Sequence, residues 1–308
     1  MAEPGSEPQI IGGIEITHPA RPVFPEAGVT KADIARYYER IWPLMSGHLK
    51  NRPVSLVRCP GGIADDCFFQ KHPFEGMAGE IATLPVTEKS GETGDYLLFP
   101  GLGSLLAAVQ FGTIEFHLWG ARKDRLERPD RLVFDLDPGD GVTFGQVRAA
   151  AHEVAGRLEG AGLRSWPLLT GGKGIHVVVP LERRQGWEAM SAAAHGLALQ
   201  MAGDAPARYV AGAAKAERAG RIFVDWLRNS RGATAICPYS LRARPGAPVA
   251  VPVSWSELER FDSASAFTPA RLASRLEGPA GDPWEGPDTA RQSLSKRVLR
   301  ALTDGVSG

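Results

Sequence analysis

The sequence predicts an α+β fold in which mixed or antiparallel sheets and flanking helices surround a central cleft. Short apolar runs of strand length and helical patterns are mixed without the regular alternation of a parallel sheet, and hairpin signals recur. The 308 residues, 43% of them hydrophobic, can fill one large domain or two packed ones. We predict a disordered tail over residues 1–9, a globular domain over 10–277, and a C-terminal tail over 278–308 with a short helix.

The N-terminal half is predicted to contain a long helix followed by strands. Thr30 and Asp33 form a capping-box pattern, and apolar residues follow at helical spacing, which predicts a helix from about Lys31 to Met45. Two apolar runs of strand length follow, PVSLVRC and CFFQKH, separated by the turn-forming segment PGGIADD. DYLLF and IEFHLW are predicted strands on either side of a helix from Ser104 to Gln110.

The C-terminal half continues this mixed pattern. RLVFDLDP is a predicted strand, and Thr143 caps a helix that runs to about Gly160. SWPLLT and GIHVVVPL predict a hairpin around a glycine-rich turn. A helix from about Trp187 to Met201 precedes a last core strand, RIFVDWL.

Composition argues against a membrane protein and a zinc protein. No segment approaches the roughly 18 apolar residues of a membrane helix, and the first residues have no basic and apolar regions of a secretory signal. A cytoplasmic protein is therefore predicted. The three cysteines, Cys59, Cys67 and Cys237, lack metal-site spacing and are not expected to form a closed disulfide framework, which favours a reducing compartment.

Three aspartates in apolar strands form the strongest candidate site. Side chains alternate along a strand, so Asp135 and Asp137 present both carboxylates on one face. Asp225 lies inside a second apolar run, where an ionised carboxylate needs a strong partner. Carboxylates without His or Cys favour a hard divalent ion, and such ions catalyse phosphoryl transfer. The alternatives are a solvated pair at a strand end and an ion pair from Asp225 to Arg228 or Arg221.

A glycine-rich turn, TGGKGIH, offers donors to an anion. Its glycines permit positive φ and close backbone approach, while Thr170, Lys173 and His176 supply groups suited to a triphosphate. It is not a Walker A loop, because the spacing and the following helix are missing. An ordinary hairpin with an exposed lysine and a buried histidine is the alternative. Residue types alone do not separate a polymerase from a metallophosphatase or a nuclease.

The chain carries 35 basic and 35 acidic residues. Many nucleic-acid-binding proteins are basic overall, so this balance argues against that class. Residues 207–244 nevertheless contain eight basic and two acidic side chains, which favours a local cationic face. A strand break after Asp225 could turn Arg228 toward the carboxylates. Arg242 and Arg244 alternate onto one face of a predicted strand, where they could clamp phosphates or form a solvated edge.

Adjacent aromatic residues provide a candidate stacking surface. Phe68 and Phe69 fall in a predicted strand, so one should pack inward and the other outward beside Lys71 and His72, where it could stack on a base. Core packing is the alternative for each residue taken singly. His117, in EFHLW, is likewise either a ligand-binding group or a buried histidine.

Six motifs occur in a fixed order: KAD at 31–33, FFQKH at 68–72, EFHLW at 115–119, FDLDP at 134–138, GKGIH at 172–176 and VDW at 224–226. Together they resemble the polymerase domain of bacterial ATP-dependent DNA ligase D, in the archaeo-eukaryotic primase superfamily. The resemblance covers about residues 16–258. It implies a primase-polymerase catalytic domain over residues 10–277 that fills gaps and extends ends in non-homologous end joining.

The resemblance also implies a role for each candidate residue. Asp135, Asp137 and Asp225 resemble carboxylates that hold two Mn²⁺ or Mg²⁺ ions. The residues that resemble contacts to the nucleoside triphosphate are Phe68, Phe69, His117, Thr170, Lys173, His176, Arg228 and Arg242. His18, Arg21 and Lys31 resemble a pocket for the 5′-phosphate of a downstream strand, although the family usually has Asn and Lys where this chain has His18 and Arg21.

The resulting prediction is a template-dependent polymerase that adds nucleotides, preferably ribonucleotides, to gapped or broken DNA by two-metal phosphoryl transfer. Its implied partners are DNA with gaps or double-strand breaks, the Ku protein and an ATP-dependent DNA ligase in the same or a separate chain, without a membrane. The implied location is the bacterial cytoplasm, at the nucleoid. A non-catalytic module that bridges DNA ends and a free-standing primase are the alternatives.

Overall fold

The structure is a computed structural model that describes residues 7–74, 76–77, 81–88, 90–278, 282–284 and 290–304. Within this range the chain divides into two units. The first unit contains residues up to 119, then 236–250 and 267–278. The second contains residues 120–235, 251–266 and those from 282 onward.

Helices and short strands alternate irregularly along both units. The strands are β1 (Gln9–Ile11), β2 (Ile14–Ile16), β3 (Pro22–Phe24), β4 (Val29–Thr30), β5 (Val54–Arg58), β6 (Phe68–Gln70), β7 (Ala82–Thr87), β8 (Thr93–Leu98), β9 (Thr113–Trp119), β10 (Arg131–Pro138), β11 (Trp166–Leu169), β12 (Ile175–Pro180), β13 (Tyr209–Val210), β14 (Ile222–Asp225), β15 (Thr234–Ile236) and β16 (Val251–Pro252). The helices are α1 (Lys31–Leu49), α2 (Leu102–Gln110), α3 (Phe144–Gly160), α4 (Trp187–Asp204), α5 (Trp255–Leu258), α6 (Pro269–Leu276) and α7 (Lys296–Thr303). The predicted α+β class is confirmed.

The first unit packs α1 and α2 beside an antiparallel sheet in which β9, β5, β8 and β7 are neighbours and β6 adds to β5. Helix α1 begins where the sequence predicted, because Thr30 and Asp33 form the reciprocal capping box. It continues past Met45 to Leu49, whose side chain is fully buried. β7 was not predicted, since this edge strand contains Pro85 and buries little of its surface.

The second unit is built on the strand order β13, β14, β10, β12, β11, β16. All pairs are antiparallel except β13 with β14. Helix α3 packs on β10 and β12, and α4 packs on β10 and β13. The predicted hairpin of β11 and β12 is confirmed, as is the cap of α3 by Thr143. The sheet thereby brings β12, β10 and β14 together as three adjacent strands.

The predicted tails differ from the structure. Residues 1–6 of the N-terminal tail lie outside the described residues, whereas Gln9 begins β1. Beyond residue 277, Trp284, Leu294 and Leu302 are buried, and α7 packs on α4. The predicted boundary at 277 rests on the Gly, Pro and Asp content of the segment. This content does not indicate that α7 has an apolar face that packs on the rest of the unit. This segment therefore belongs to the second unit.

Two of the cysteines form a disulfide that was not predicted, although the three form no closed framework. Cys59 and Cys67 are disulfide-bonded with their Cα atoms 4.4 Å apart, while Cys237 is a buried free thiol. Arg58 pairs with Phe68 across β5 and β6, so the next residue outward on each strand also meets its counterpart. The cysteines therefore give no support for a reducing compartment. Among the described helices, none has the length and apolar character needed to cross a membrane.

Candidate active site

The acidic part of the site is a row of side chains across three strands of the second unit. Asp135 on β10 pairs with His176 on β12 and with Asp225 on β14. Paired residues on antiparallel strands direct their side chains to the same face. His176 Nε2 accordingly lies 3.5 Å from Asp135 Oδ2. Asp137 shares this face because it is two residues further along β10.

Two arginines contact these carboxylates. Arg228 lies in the 3₁₀ turn that follows β14, with its Nη2 3.2 Å from Asp135 Oδ2 and its Nε 3.2 Å from Asp225 Oδ2. The strand break expected after Asp225 thus brings Arg228 to the carboxylates. Arg218 Nη1 donates a hydrogen bond to Asp137 Oδ2 at 2.7 Å.

The carboxylates remain electrostatically unfavourable despite the arginines. Burial raises the pKa of Asp137 and that of Asp225, and the charge of Asp135 raises both further. No three His, Cys, Asp or Glu side chains in the described part of the chain are grouped closely enough to hold a metal ion. The donor set nevertheless fits a hard divalent cation, since three carboxylates supply the oxygen ligands and a cation would relieve their repulsion.

The glycine-rich turn between β11 and β12 is closed by Thr170. Thr170 Oγ1 donates to Gly174 O at 2.8 Å and accepts from the Gly172 N–H at 3.3 Å. Gly174 lies against β10, where an added Cβ would be 2.4 Å from Leu136 O, so only glycine fits. Lys173 is exposed at the turn. The Thr170 hydroxyl therefore shapes the turn, and Lys173 presents the charge.

A second group of candidate residues lies on one face of the sheet in the first unit. Phe69 and Glu115 both pair with Val57, so the three side chains share a face. The Phe69 ring centroid is 5.0 Å from that of His117. His117 Nε2 lies 2.7 Å from Glu115 Oε2, and Arg242 Nε lies 3.0 Å from the same oxygen. Glu115 thus joins two of the predicted nucleotide-binding residues.

Phe68 lies on the opposite face of β6 from Phe69. Its ring is 5.3 Å from the guanidinium carbon of Arg58, the residue paired with it on β5. Phe68 is 46% exposed and Phe69 58%, so the prediction that one packs inward is wrong. The reason is that β6 is a three-residue strand that pairs only with β5 in the described sheet.

Arg242 and Arg244 do not alternate along a strand, contrary to the sequence prediction. The chain turns directly after an isolated bridge between Leu241 and Val249. The Arg244 N–H donates to Arg242 O at 2.8 Å within this turn. Arg242 approaches Glu115, while Arg244 is exposed.

The predicted phosphate-binding residues surround the start of α1 in the first unit. Lys31 is only 3% exposed, and its Nζ donates to Thr17 O at 2.9 Å and to Gln110 Oε1 at 2.6 Å. Burial, with the charge of Arg21, lowers the pKa of Lys31 to about 8. Arg21 Nε is buried without a hydrogen-bond partner among the described residues, and His18 has a positive φ of 51°. Two cations without a described carboxylate partner favour an anion here.

Comparison with known proteins identifies the family. A model of the LigD primase-polymerase domain matches residues 30–284. The chain belongs to this family. The resemblance inferred from the six ordered motifs is therefore confirmed, and membership of this polymerase family supports a nucleotidyltransferase and implies a nucleotide substrate and metal ions.

Three relatives illustrate the similarity. The multifunctional non-homologous end joining protein LigD of Pseudomonas aeruginosa is 39% identical over 305 residues, which is 99% of this chain and 36% of that protein. The corresponding LigD of Mycolicibacterium smegmatis is 35% identical over 247 residues, 80% of this chain and 32% of the relative. The chain spans about a third of the length of these relatives.

The similarity extends to a solved structure. The polymerase domain from Mycobacterium tuberculosis ligase D, in complex with DNA, has a TM-score of 0.82 and 30% identity. The match covers 90% of this LigD primase-polymerase domain and 99% of the solved chain. This fold agrees with the mixed α+β architecture described above.

Sequence reasoning missed two charged residues, one in each unit, that contact the candidate residues. Glu115 lies two residues before His117 on β9, and strand alternation alone would have placed both on one face. Arg218 belongs to the basic segment 207–244, but its contact with Asp137 depends on the backbone approach at Gly139. A Cβ at Gly139 would lie 1.8 Å from Arg218 O. Glycine at this position therefore lets the Arg218 segment reach the carboxylates.

Proposed function

We propose that this LigD primase-polymerase domain extends DNA ends and fills gaps by template-dependent nucleotide addition during non-homologous end joining. The observation that carries the proposal is the row of Asp135, Asp225 and His176 across three paired strands, with Asp137 on the same face. The DNA in the solved relative and the names of the full-length relatives support this substrate and process.

In this proposal Asp135, Asp137 and Asp225 hold two divalent ions, Mn²⁺ or Mg²⁺. Such ions, when bound, supply the charge that activates an attacking hydroxyl and stabilises the leaving oxygen. Arg218 and Arg228 contact these carboxylates. Their guanidinium groups therefore lie where they could also bind the phosphates of the substrate.

The reaction proposed is attack of a primer 3′-oxygen on the α-phosphate of a nucleoside triphosphate, which forms one P–O bond and releases pyrophosphate. Lys173 binds the triphosphate with its exposed ammonium group, and Thr170 holds the turn that presents it. His176 is buried on the carboxylate row and orients Asp135. These groups position charge around the transferred phosphate, which is the main demand of phosphoryl transfer.

Further substrate contacts are proposed for residues of the first unit from their own chemistry. Phe69 and Phe68 offer exposed rings for base stacking, on opposite faces of β6. His117 and Arg242 are proposed to contact the incoming nucleotide. The cationic region of His18, Arg21 and Lys31 is proposed to attract the 5′-phosphate of the downstream strand. A preference for ribonucleotides, action with Ku and an ATP-dependent ligase, and a nucleoid location remain predictions.

Primer extension on a gapped duplex with a 5′-phosphate tests the proposal. Replacement of Asp137 by Ala should lower incorporation at least about 100-fold, the effect typical of removing one electrostatic group from an active site. Asp124→Ala is the matched control, because Asp124 is an exposed carboxylate of the same unit that pairs with Arg183. Robust extension by Asp137→Ala would refute the assignment of the carboxylates.

The same assay separates the alternatives. A module that only bridges ends would incorporate no nucleotide with either metal ion, although it would bind the duplex. A free-standing primase would synthesise dinucleotides on unprimed single-stranded template. Parallel reactions with ribonucleotides or deoxyribonucleotides and with Mg²⁺ or Mn²⁺ determine the two preferences.

A further inference from the structure

Glu115 is a buried acid at the centre of the polar group in the first unit. Its side chain is 7% exposed, on a strand where the neighbouring Ile114 and Phe116 are fully buried. Two hydrogen-bonding groups and one cation surround it. His117 Nε2 lies at 2.7 Å, the Ala243 N–H donates at 2.8 Å, and Arg242 Nε lies at 3.0 Å. Glu115 is the first residue of the EFHLW motif, but none of the roles given above belongs to it.

The surroundings keep Glu115 ionised. Burial alone would raise its pKa, but the hydrogen bond with His117 and the charge of Arg242 outweigh burial and lower the pKa to about 2. A buried carboxylate of this kind is expensive to desolvate and is tolerated where its partners satisfy it. Those partners come from two distant parts of the sequence, β9 and the turn after Leu241. The acid therefore connects the two segments.

We propose that Glu115 is a positioning residue that fixes His117 and Arg242 in the orientation in which they receive the incoming nucleotide. The proposal rests on the nucleotide-binding role given to these two residues under the proposed function. A carboxylate only accepts hydrogen bonds, so it holds His117 with the proton on Nε2. Arg242 is held by an ion pair, with its Nε 3.0 Å from the same carboxylate oxygen, so the charge of Glu115 fixes where the guanidinium group lies.

The substitution Glu115→Gln tests the hold on His117 and on Arg242 with little change of side-chain volume. One oxygen of Glu115 serves Ala243 and the other serves His117 and Arg242. A glutamine must replace one of these oxygens by an NH₂ group, which then faces a donor. Either the Ala243 N–H or His117 loses its acceptor, and the charge that attracts Arg242 is removed. The change therefore disturbs the positioning while leaving the exposed surface almost unaltered.

Steady-state primer extension should show a selective effect on the nucleotide. For Glu115→Gln we expect the KM for the nucleoside triphosphate to rise roughly 10- to 100-fold, the effect typical of a lost supporting carboxylate. The Kd for the gapped duplex should stay within about twofold. Glu115→Asp, which retains the charge, should recover part of the KM. Glu153→Gln is the control, since Glu153 accepts from Arg157 and Tyr209 in the second unit.

The imidazole ¹⁵N shifts of His117 provide a readout that a purely structural role does not require. The wild-type protein without nucleotide should show His117 protonated at Nε2, with the resonance assigned by its loss in His117→Asn. A wild-type His117 protonated only at Nδ1 would overturn the inference, whether or not Glu115→Gln folds. So would a folded Glu115→Gln protein with the wild-type KM.

Failure of the proposed function has a different signature. A wild-type protein that incorporates no nucleotide, yet holds His117 protonated at Nε2 through Glu115, would refute the polymerase assignment and leave the side-chain geometry intact. The Glu115→Gln protein could instead lose kcat to the same extent with every substrate and also lose duplex binding. That result would overturn the inference. That pattern would mean that Glu115 maintains the fold of the unit rather than the nucleotide site.

Discussion

Lys31 shows how the environment of one residue determines its charge. Its ammonium group is buried against two neutral oxygens and has Arg21 nearby, which lowers its pKa from 10.5 to about 8. Between pH 8 and 10.5 the unfolded chain therefore binds more protons at this residue than the folded protein does. The contribution of Lys31 to the free energy of unfolding therefore rises with pH across that window, by about 1 to 3 kcal/mol.

Lys31→Met should remove this pH dependence. Methionine fills a similar volume without a proton to release. The unfolding free energy of the wild type minus that of the variant should therefore increase from pH 8 to 10.5. Urea unfolding at several pH values measures that difference, and other titrating groups cancel in the comparison. A constant difference across the window would contradict the lowered pKa.

The same variant tests the phosphate pocket. Lys31→Met and Arg21→Met should each weaken binding to a gapped duplex that carries a 5′-phosphate, by roughly 10-fold for a lost charge-assisted contact of about 1.5 kcal/mol. Binding to the 5′-hydroxyl duplex should change little. Fluorescence anisotropy at one fixed salt concentration measures both, because phosphate contacts make affinity depend on salt. Equal loss on the two duplexes would argue against the pocket.

Sequence pattern was sufficient for residues placed by local geometry. Period-two alternation placed Asp135 and Asp137 on one face, and the register of β10 with β14 then added Asp225. The contacts of Arg218 with Asp137 and of Ala243 with Glu115 join segments far apart in the chain. Arg218 reaches Asp137 across 81 positions, and the amide of Ala243 reaches Glu115 across 128. No local periodicity contains such contacts.

Among the elements, β6 depends most on a covalent link. This strand has three residues, pairs with β5, and carries the exposed rings of Phe68 and Phe69. The Cys59–Cys67 disulfide closes the turn that leads into it. By the loop-entropy model, closing so short a loop contributes roughly 2 to 3 kcal/mol. Opening of the disulfide should therefore loosen β6 more than the strands in the interior of the sheet.

Amide hydrogen exchange of β6 tests this role. Reduction of the disulfide, or Cys67→Ser, should speed exchange of the β6 amides by roughly 30- to 150-fold, which corresponds to 2 to 3 kcal/mol. The β10 amides in the other unit should be unaffected. Reductant should have no further effect on Cys67→Ser. If reductant leaves exchange of β6 unchanged in the wild type, the strand is held by its pairing and packing alone.

Elements with a cap or strong periodicity were predicted well. The helices α1 and α3 begin at the capping residues named from sequence, and β10 has the predicted limits. β7 and the turn after Leu241 were not predicted. β7 lacks a buried face, and the turn depends on Ala247, which adopts a positive φ of 49° that its residue type does not indicate.

At the scale of the whole molecule, the C-terminal segment is part of the core of the second unit. Trp284, Leu294, Val298 and Leu302 are each at most 6% exposed. The Trp284 indole donates to Pro167 O at 3.0 Å. Helices α4 and α7 approach so closely that a Cβ at Gly196 would lie 2.3 Å from Leu302 O. A boundary at residue 277 would therefore cut through packed structure.

A chain that ends at residue 277 should lose most of the stability of the second unit. Burial of four large apolar side chains contributes about 1.5 to 3 kcal/mol each, or roughly 6 to 12 kcal/mol as an upper bound. That range is comparable to the whole stability of a typical domain, about 5 to 15 kcal/mol. Leu302→Ala in the full chain is the graded comparison and should cost about 2 to 5 kcal/mol. Circular dichroism during urea unfolding measures both, and a truncated chain as stable as the full one would show that α7 is dispensable to the fold.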